Sequence, residues 1–266
     1  SVEKSGYKHI VVKGQLTQNL DRVFAVALFD STYIYIDGGT IPVDTLMAGE
    51  QYTYSFIGPA GFIRGSNKIS VLHVSGSGDQ TAAAVIPSLE CTGSNQIGFT
   101  RPGSGEFRLT LTIKNGFQNS FTLNGNPLDG SGFAPVPGTN DEWVFLNRVF
   151  STSEVPNGQA SIIANYSAEL FHMGTAYRQG ASCNYGYFSN FSYLNLGINR
   201  ELCLGDSAIL DAGPGKTQYR WSTGDTTQKI VVKTPGVYMV DVLSGNECAA
   251  TDTVEVSYYI PPVQIQ

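Results

Sequence analysis

"FRLTLTI", residues 107–113, alternates without a break: Phe107, Leu109, Leu111 and Ile113 fall on one side, and Arg108, Thr110 and Thr112 on the other. A period of two residues is that of a β-strand with two chemically different faces. The strand is followed by Lys114-Asn115-Gly116, a turn sequence, and "SFTL" (120–123) runs into Asn124-Gly125-Asn126, a second one. Asn-Gly is favoured in tight hairpins because both residues tolerate positive φ. Upstream, "RVFAVALF" (22–29) is an apolar run suited to a central sandwich strand, and "TYIYID" (32–37) follows closely enough to predict a hairpin with it. "QYTYSFI" (51–57), "EWVFLNRVF" (142–150) and "ASIIANYS" (160–167) add further strands, and thirty glycines punctuate the gaps. The one helical patch, Pro87 to Glu90, is too short to matter. The expected fold class is all-β.

The pattern resets near "NLGINRELC" (195–203). After it, "LCLGDSAILDA" (202–212) reads as a strand pair broken at Gly205-Asp206. "TQYRWS" (217–222) is a strand with Tyr219 and Trp221 on one face, and "QKIVVK", "VYMVDVL" and "CAATDTVEV" follow as strands between short turns. Strands at this spacing are the signature of a small β-sandwich. The expected organisation is a large β-sandwich over 1–197, a small β-sandwich over 198–257, and a Pro-Pro linker over 258–266 to a further module.

Charged residues make up 14% of the chain, against about a quarter in an average globular domain, and the net charge is −6. No Lys/Arg cluster is present, which argues against a nucleic-acid or anionic-membrane partner. No apolar run approaches the length of a membrane span, and "SVEKSGYKHI" lacks the apolar core of a signal peptide. The four cysteines, Cys91, Cys183, Cys203 and Cys248, contain no Cys-x-x-Cys pair and no neighbouring histidine, so a zinc site is not expected. Of the three possible pairings, the domain boundary selects Cys91–Cys183 and Cys203–Cys248, one bridge per domain; free buried thiols are the alternative. Each bridge would close a long loop, contribute about 3–4 kcal/mol, and place the chain in an oxidising compartment outside the cytoplasm.

Residues 201–257 resemble the short Ig-like/PKD-like modules of Bacteroidetes surface proteins. The resemblance lies in Cys203-x-Gly205-Asp206, Leu210-Asp211-Ala212, Trp221-Ser222-Thr223-Gly224, Pro235-Gly236-x-Tyr238 and Cys248. The first domain resembles the N-terminal domain of the IgGFc-binding protein family, through "ELFHMGTAYRQGASCNYGYFSNFS" (169–192), "SLECTGSNQIGFTR" (88–101) and "FTLNG" (121–125). This combination implies an internal piece of a very large adhesin of gliding bacteria, exported by a type IX secretion system to the cell surface and flanked by further modules. The resemblance does not by itself imply immunoglobulin binding.

No constellation for catalysis is expected. His9, His73 and His172 have no serine elbow near them. His73 lies in the apolar stretch "ISVLHVSG", where a core histidine is the simpler reading. Asp141, Glu142 and Glu154 sit in loop contexts, not as a glycosidase pair, and "GPGKT" (213–217) lacks the phosphate-loop spacing. Oxygen-rich turns at Asp37, Asp129, Asn140-Asp141, and Asp206 with Asp211 leave a structural calcium as a weak expectation, the last pair being its best position; no other cofactor is expected. "CNYGYFSNFSY" (183–193) places Tyr185, Tyr187, Phe191 and Tyr193 on one strand face; with His172 these form the candidate ligand site, a sugar-stacking platform or simply a core face. The expected function is a non-enzymatic structural and adhesive module contacting surface polysaccharide or another extracellular ligand. The alternative is a carbohydrate-binding module with this aromatic glycan site.

Overall fold

The structure is a computed structural model and describes residues 5–17, 21–56, 58–90, 92–167, 169–188, 194, 196–214, 216–244 and 248–259, the last two segments without the side chains of Ser244 and Cys248. Every sheet but two short parallel pairings is antiparallel, and no α-helix occurs among the described residues. The fold is all-β. The chain divides into two compact units, Ser1–Phe191 and Ser192–Gln266.

The first half of unit one is organised by a single long strand, Ala60–Gly78. Its early residues pair with Gly6–Val12 and Thr32–Ile36, and its later ones with Arg22–Ala27 and Gln80–Ile86. The period of two puts Ile63, Ile69 and Val71 into a core with Val11, Val23, Ala25 and Ile34. The same period carries His73 and Ser75 onto the buried side, because they continue the row of Ile69 and Val71. The expected hairpin between residues 22–29 and 32–37 does not form. Ser31 adopts φ 56° and the Thr32 hydroxyl donates to the Phe29 carbonyl at 2.6 Å, a turn that sends Thr32–Ile36 to pair with Asp44–Leu46 and the long strand instead.

The second half of unit one is a sandwich. One sheet runs Ala134–Pro135, Trp143–Phe150, Glu106–Lys114, His172–Gln179, Ser182–Phe188; the other runs Asn126–Pro127, Phe121–Leu123, Ala160–Asn165, Gln96–Thr100. Phe107, Leu109, Leu111 and Ile113 point from the first sheet into a core closed by Ile97, Phe99, Phe121 and Ile163 of the second. Phe99 stacks on Phe107 at 5.8 Å, and Phe121 meets Phe171 edge-on at 4.9 Å. Asn124 (φ 52°) and Gly125 (φ 80°) form the expected two-residue hairpin loop, with Leu123 paired to Asn126. The outer face of the five-stranded sheet is covered too: Trp143 and Phe145 pack with Ile10, Val12 and Ala60 of the first half. This double coverage explains why Thr112, on the polar side of the alternation, is buried as well.

Unit two pairs a four-stranded sheet (Arg200–Leu202, Cys248–Tyr258, Gly236–Ser244, Gln218–Trp221) with the two-stranded Ala208–Asp211 and Lys229–Val232. The strand pair expected on either side of Gly205-Asp206 is not formed. Gly205 (φ 94°) turns the chain from one sheet to the other, so Arg200–Leu202 joins Cys248–Tyr258 and Ala208–Asp211 joins Lys229–Val232. Trp221 is 2% exposed at the centre of the core, and its indole N–H donates to the Thr227 carbonyl at 2.8 Å across the turn it precedes. Leu194 and Leu196 belong to this core, and the Leu196 amide donates to Asp252 at 2.7 Å. The second unit therefore begins ahead of residue 198, because these two leucines are buried on its side.

The expected disulfides are not made: Cys183 and Cys203 are free thiols. Leu202 pairs with Tyr258 while Cys248 begins the same strand, ten residues away. At about 3.3 Å per residue this separates Cys203 from Cys248 by roughly 30 Å, whereas a bridge needs Cα atoms within about 7 Å. Cys91 lies outside the described residues. Its neighbour Thr92 contacts His172, and Cys183 sits opposite Arg178, six residues farther along the same strand.

Candidate functional site

All three histidines lie inside unit one. His73 is fully buried, with Nε2 3.1 Å from Asp21 Oδ1 and Nδ1 2.7 Å from the Tyr185 hydroxyl. Asp21 Oδ1 also accepts from Ser75 Oγ at 2.6 Å and from the Gly14 amide at 2.9 Å. Burial alone would raise the Asp21 pKa, but the hydrogen bonds from His73, Ser75 and Gly14 bring it below the usual carboxylate value. Burial lowers the pKa of His73, and Asp21 offsets only part of that. The result is a carboxylate facing a neutral imidazole. The carboxylate can only accept, so Nε2 carries the proton and Nδ1 accepts from Tyr185. Ser, His and Asp thus meet, but Ser75 donates to Asp21 and is not activated by His73, and none of the three is exposed. The arrangement braces the interior and presents no nucleophile.

Tyr185 and Tyr187, expected as a stacking platform, are half-buried with their hydroxyls turned inward. Tyr185 meets the His73 ring edge-on at 5.4 Å and Tyr187 edge-on at 5.8 Å. Tyr187 lies over Gly174, where an added Cβ would come within 3.0 Å of the ring, and it packs against the core of the long strand. Burial raises both phenol pKa values, that of Tyr187 to about 12. These rings join sheets and do not form a sugar platform. Tyr193 and Phe191 lie outside the described residues. His172 is 3% exposed, beside the Trp143 ring at 6.2 Å and 3.5 Å from Thr92 Oγ1. Its pKa falls to about 4 through burial and the proximity of His9, whose own falls to about 4 through burial. It is an interior residue.

Asp211 uses both oxygens on donors: Oδ1 accepts from Gly213 N and Gln228 Nε2, and Oδ2 faces Lys229 Nζ at 3.0 Å. A carboxylate committed to an ammonium is poorly placed to ligate calcium. Asp206 is exposed in the turn whose amide donates to Cys203 O. Asp37 and Asp129 likewise accept from neighbouring backbone amides. No three His, Cys, Asp or Glu side chains converge in a metal-holding group among the described residues.

Surface concavities also open among the described residues. One, of about 430 Å³, is lined by Asn124, Asn126, Pro127, Ser153 and Glu154, with Glu154 held by Arg148 at 2.8 Å and by Ser151. A second, of about 280 Å³, lies where the first half of unit one meets the sandwich and is lined by Lys13, Gln15, Pro59, Arg108, Phe145 and Asn147. Sequence reasoning missed both. The second joins residues up to 134 positions apart, and no local spacing announces it.

No curated protein matches the chain. A solved structure of SGBP-B from the mixed-linkage glucan utilization locus of Bacteroides ovatus, in complex with a mixed-linkage heptasaccharide, aligns over 95% of this chain and 71% of that one, at 12% identity and a TM-score of 0.22. A likeness of that size carries no argument about fold or ligand. Residues 1–172 match the family described as IgGFc binding protein; this is more than half of the chain, and the chain belongs to that family.

Proposed function

We propose that the chain is a non-enzymatic binding module of a secreted cell-surface protein. Family membership over residues 1–172 supports the binding role. The observation that carries the non-catalytic reading is the placement of the histidines: all three of the chain's histidines are at most 3% exposed and held neutral by burial. Histidine-dependent nucleophile-and-base chemistry would have to come from groups that the fold uses as interior struts, and Glu154, a partly exposed carboxylate, is bound up with Arg148 and Ser151. The extracellular assignment rests on the family and not on cysteine chemistry, since Cys183 and Cys203 are free thiols.

The finer assignment is a structural and adhesive segment of a long adhesin of gliding bacteria exported by type IX secretion. It is supported by the Cys-x-Gly-Asp, Trp-Ser-x-Gly and Pro-Gly-x-Tyr pattern of unit two. Ligand capture through extracellular polysaccharide is the partner class of choice; an immunoglobulin Fc fragment, after which the family is described, is the comparison ligand. The test immobilises the purified chain and measures binding to a polysaccharide panel and to Fc, with chromogenic glycoside and ester substrates assayed in parallel. Saturable binding to at least one ligand without turnover is expected. Turnover above the buffer rate that disappears in Glu154→Gln would overturn the reading.

A further inference from the structure

The pocket between Lys13 and Arg108 stands apart from the rest of this acidic chain. Two cationic side chains line it, in a protein of net charge −6 that has no basic cluster in its sequence. Arg108 is anchored at one end of its guanidinium: Nη1 lies 3.3 Å from Asn147 Oδ1 and 3.5 Å from Asn147 O. Nη2 has only a loose contact with Glu106, at 3.6 Å, and Nε is buried with no hydrogen-bond acceptor. Nη1 and Nη2 are thus held only by long contacts, and a carboxylate, which accepts two parallel hydrogen bonds from a guanidinium, is the partner that suits them. The pocket is fixed in place: Asn147 Nδ2 donates to the Lys13 carbonyl at 2.9 Å, and the Lys13 amide donates to Pro59 O at 2.9 Å, so the cations are carried by backbone tied across the two halves of unit one. The remaining lining, Gln15, Asn147, Pro59 and Phe145, offers amides for hydroxyl groups beside apolar surface for a ring face.

We propose that this pocket binds the carboxylate of an acidic sugar, a hexuronic acid unit of a polysaccharide. Arg108 and Lys13 hold the anion, and the Asn147 and Gln15 amides meet the ring hydroxyls. The proposal rests on the binding role argued above and names its ligand class. A volume of about 280 Å³ suits one sugar unit with its neighbours running out over the surface.

Titration calorimetry of the full chain with D-glucuronate, polygalacturonate, D-glucose and poly-L-glutamate tests it, with Arg108→Gln and Arg108→Lys as variants and thermal melting as the folding control. Glucuronate and polygalacturonate bind and glucose does not. Arg108→Gln loses at least tenfold in affinity, Arg108→Lys keeps the charge but loses most of the bidentate part, and added salt weakens binding. If Arg108→Gln fails to fold, Lys13→Gln carries the same expectation with a smaller loss. Uronate binding indifferent to both substitutions, or no uronate binding, overturns the site. Poly-L-glutamate binding without uronate binding assigns the pocket to an acidic protein partner and overturns the sugar. A chain that binds other ligands of the panel equally well with Arg108→Gln loses this site and keeps the general binding role. A chain that turns over substrate loses the binding role itself.

Discussion

His73 Nδ1 lies 2.7 Å from the hydroxyl of Tyr185, 112 residues later in the chain. The pair joins the long strand of the first half of unit one to the edge strand Ser182–Phe188 of the sandwich, and Asp21 fixes the imidazole from the other side. Each member is positioned by an alternation that would ordinarily bring an apolar side chain to that point. The buried imidazole is tolerated because both of its nitrogens find partners, Asp21 Oδ1 and the Tyr185 hydroxyl.

Tyr185→Phe keeps the ring and its edge-on contacts but removes the donor to His73 Nδ1. The imidazole then keeps a buried nitrogen with no partner, which costs about 1–3 kcal/mol. Urea denaturation of the variant should show a lower midpoint at an unchanged slope. An unchanged midpoint would mean that the contact is incidental and that the two halves are held by apolar packing alone.

Where one face of a strand meets a core, the sequence pattern reads directly: Phe107, Leu109, Leu111 and Ile113 are buried as a row, and Asn124-Gly125 makes the hairpin its chemistry dictates. Pairing partners were less legible. Thr32–Ile36 and Ala208–Asp211 leave their sequence neighbours because Ser31 and Gly205 turn the chain towards another sheet, and nothing in strand periodicity encodes that choice. The aromatic row of Tyr185 and Tyr187 was visible, but alternation cannot tell a face covered by a second sheet from one open to ligand. The Asp21–His73–Tyr185 contact and the Lys13–Arg108 pocket are assembled across long separations, and only the folded chain brings them together.

Acid should destabilise the fold in a defined window. His9 and His172 titrate near 6.5 when unfolded and near 4 when folded. Above pH 6.5 both states are neutral and these groups contribute nothing to the pH dependence. Below it the unfolded chain takes up protons that the folded chain refuses, so stability falls from pH 6.5 down to about pH 4. The limit is roughly 3 kcal/mol for each residue at about 1.4 kcal/mol per unit, and His73 acts in the same direction. Asp21, with a lowered pKa, loses its contribution only at still lower pH, and Glu90, raised by burial, works the opposite way. Denaturation midpoints should differ little between pH 7.5 and 6.0 and fall clearly between pH 6.0 and 4.5, and His172→Gln should flatten the fall. A midpoint constant from pH 7.5 to 4.5 would show that the imidazoles are hydrated.

Trp221 is the largest side chain in the core of unit two, and its indole N–H spans the turn to Thr227. Trp221→Ala should cost about 3–5 kcal/mol, a large fraction of the stability of so small a unit. Hydrogen-exchange mass spectrometry on the full chain should show protection lost from the strands Gln218–Trp221, Lys229–Val232 and Gly236–Ser244. Peptides from Glu106–Lys114 should keep theirs. Loss in both sets would mean that the two units unfold as one.

The free thiols give the sharpest check on the corrected cysteine reading. Cys203 is exposed beside a turn, whereas Cys183 is half-buried with its thiol pKa raised by burial. The thiolate is the species that reacts, so Cys203 should alkylate quickly at pH 8 in the folded chain and Cys183 slowly. Cys203→Ser should leave the melting temperature unchanged, because no loop closure is lost with it. A fall of several degrees in that variant, seen only under non-reducing conditions, would mean that Cys203 is bridged after all. The parallel pairing of Arg200–Leu202 with the end of the Cys248–Tyr258 strand would then have to give way, since a bridge needs Cα atoms within about 7 Å and this pairing sets Cys203 beside the far end of the strand that Cys248 begins.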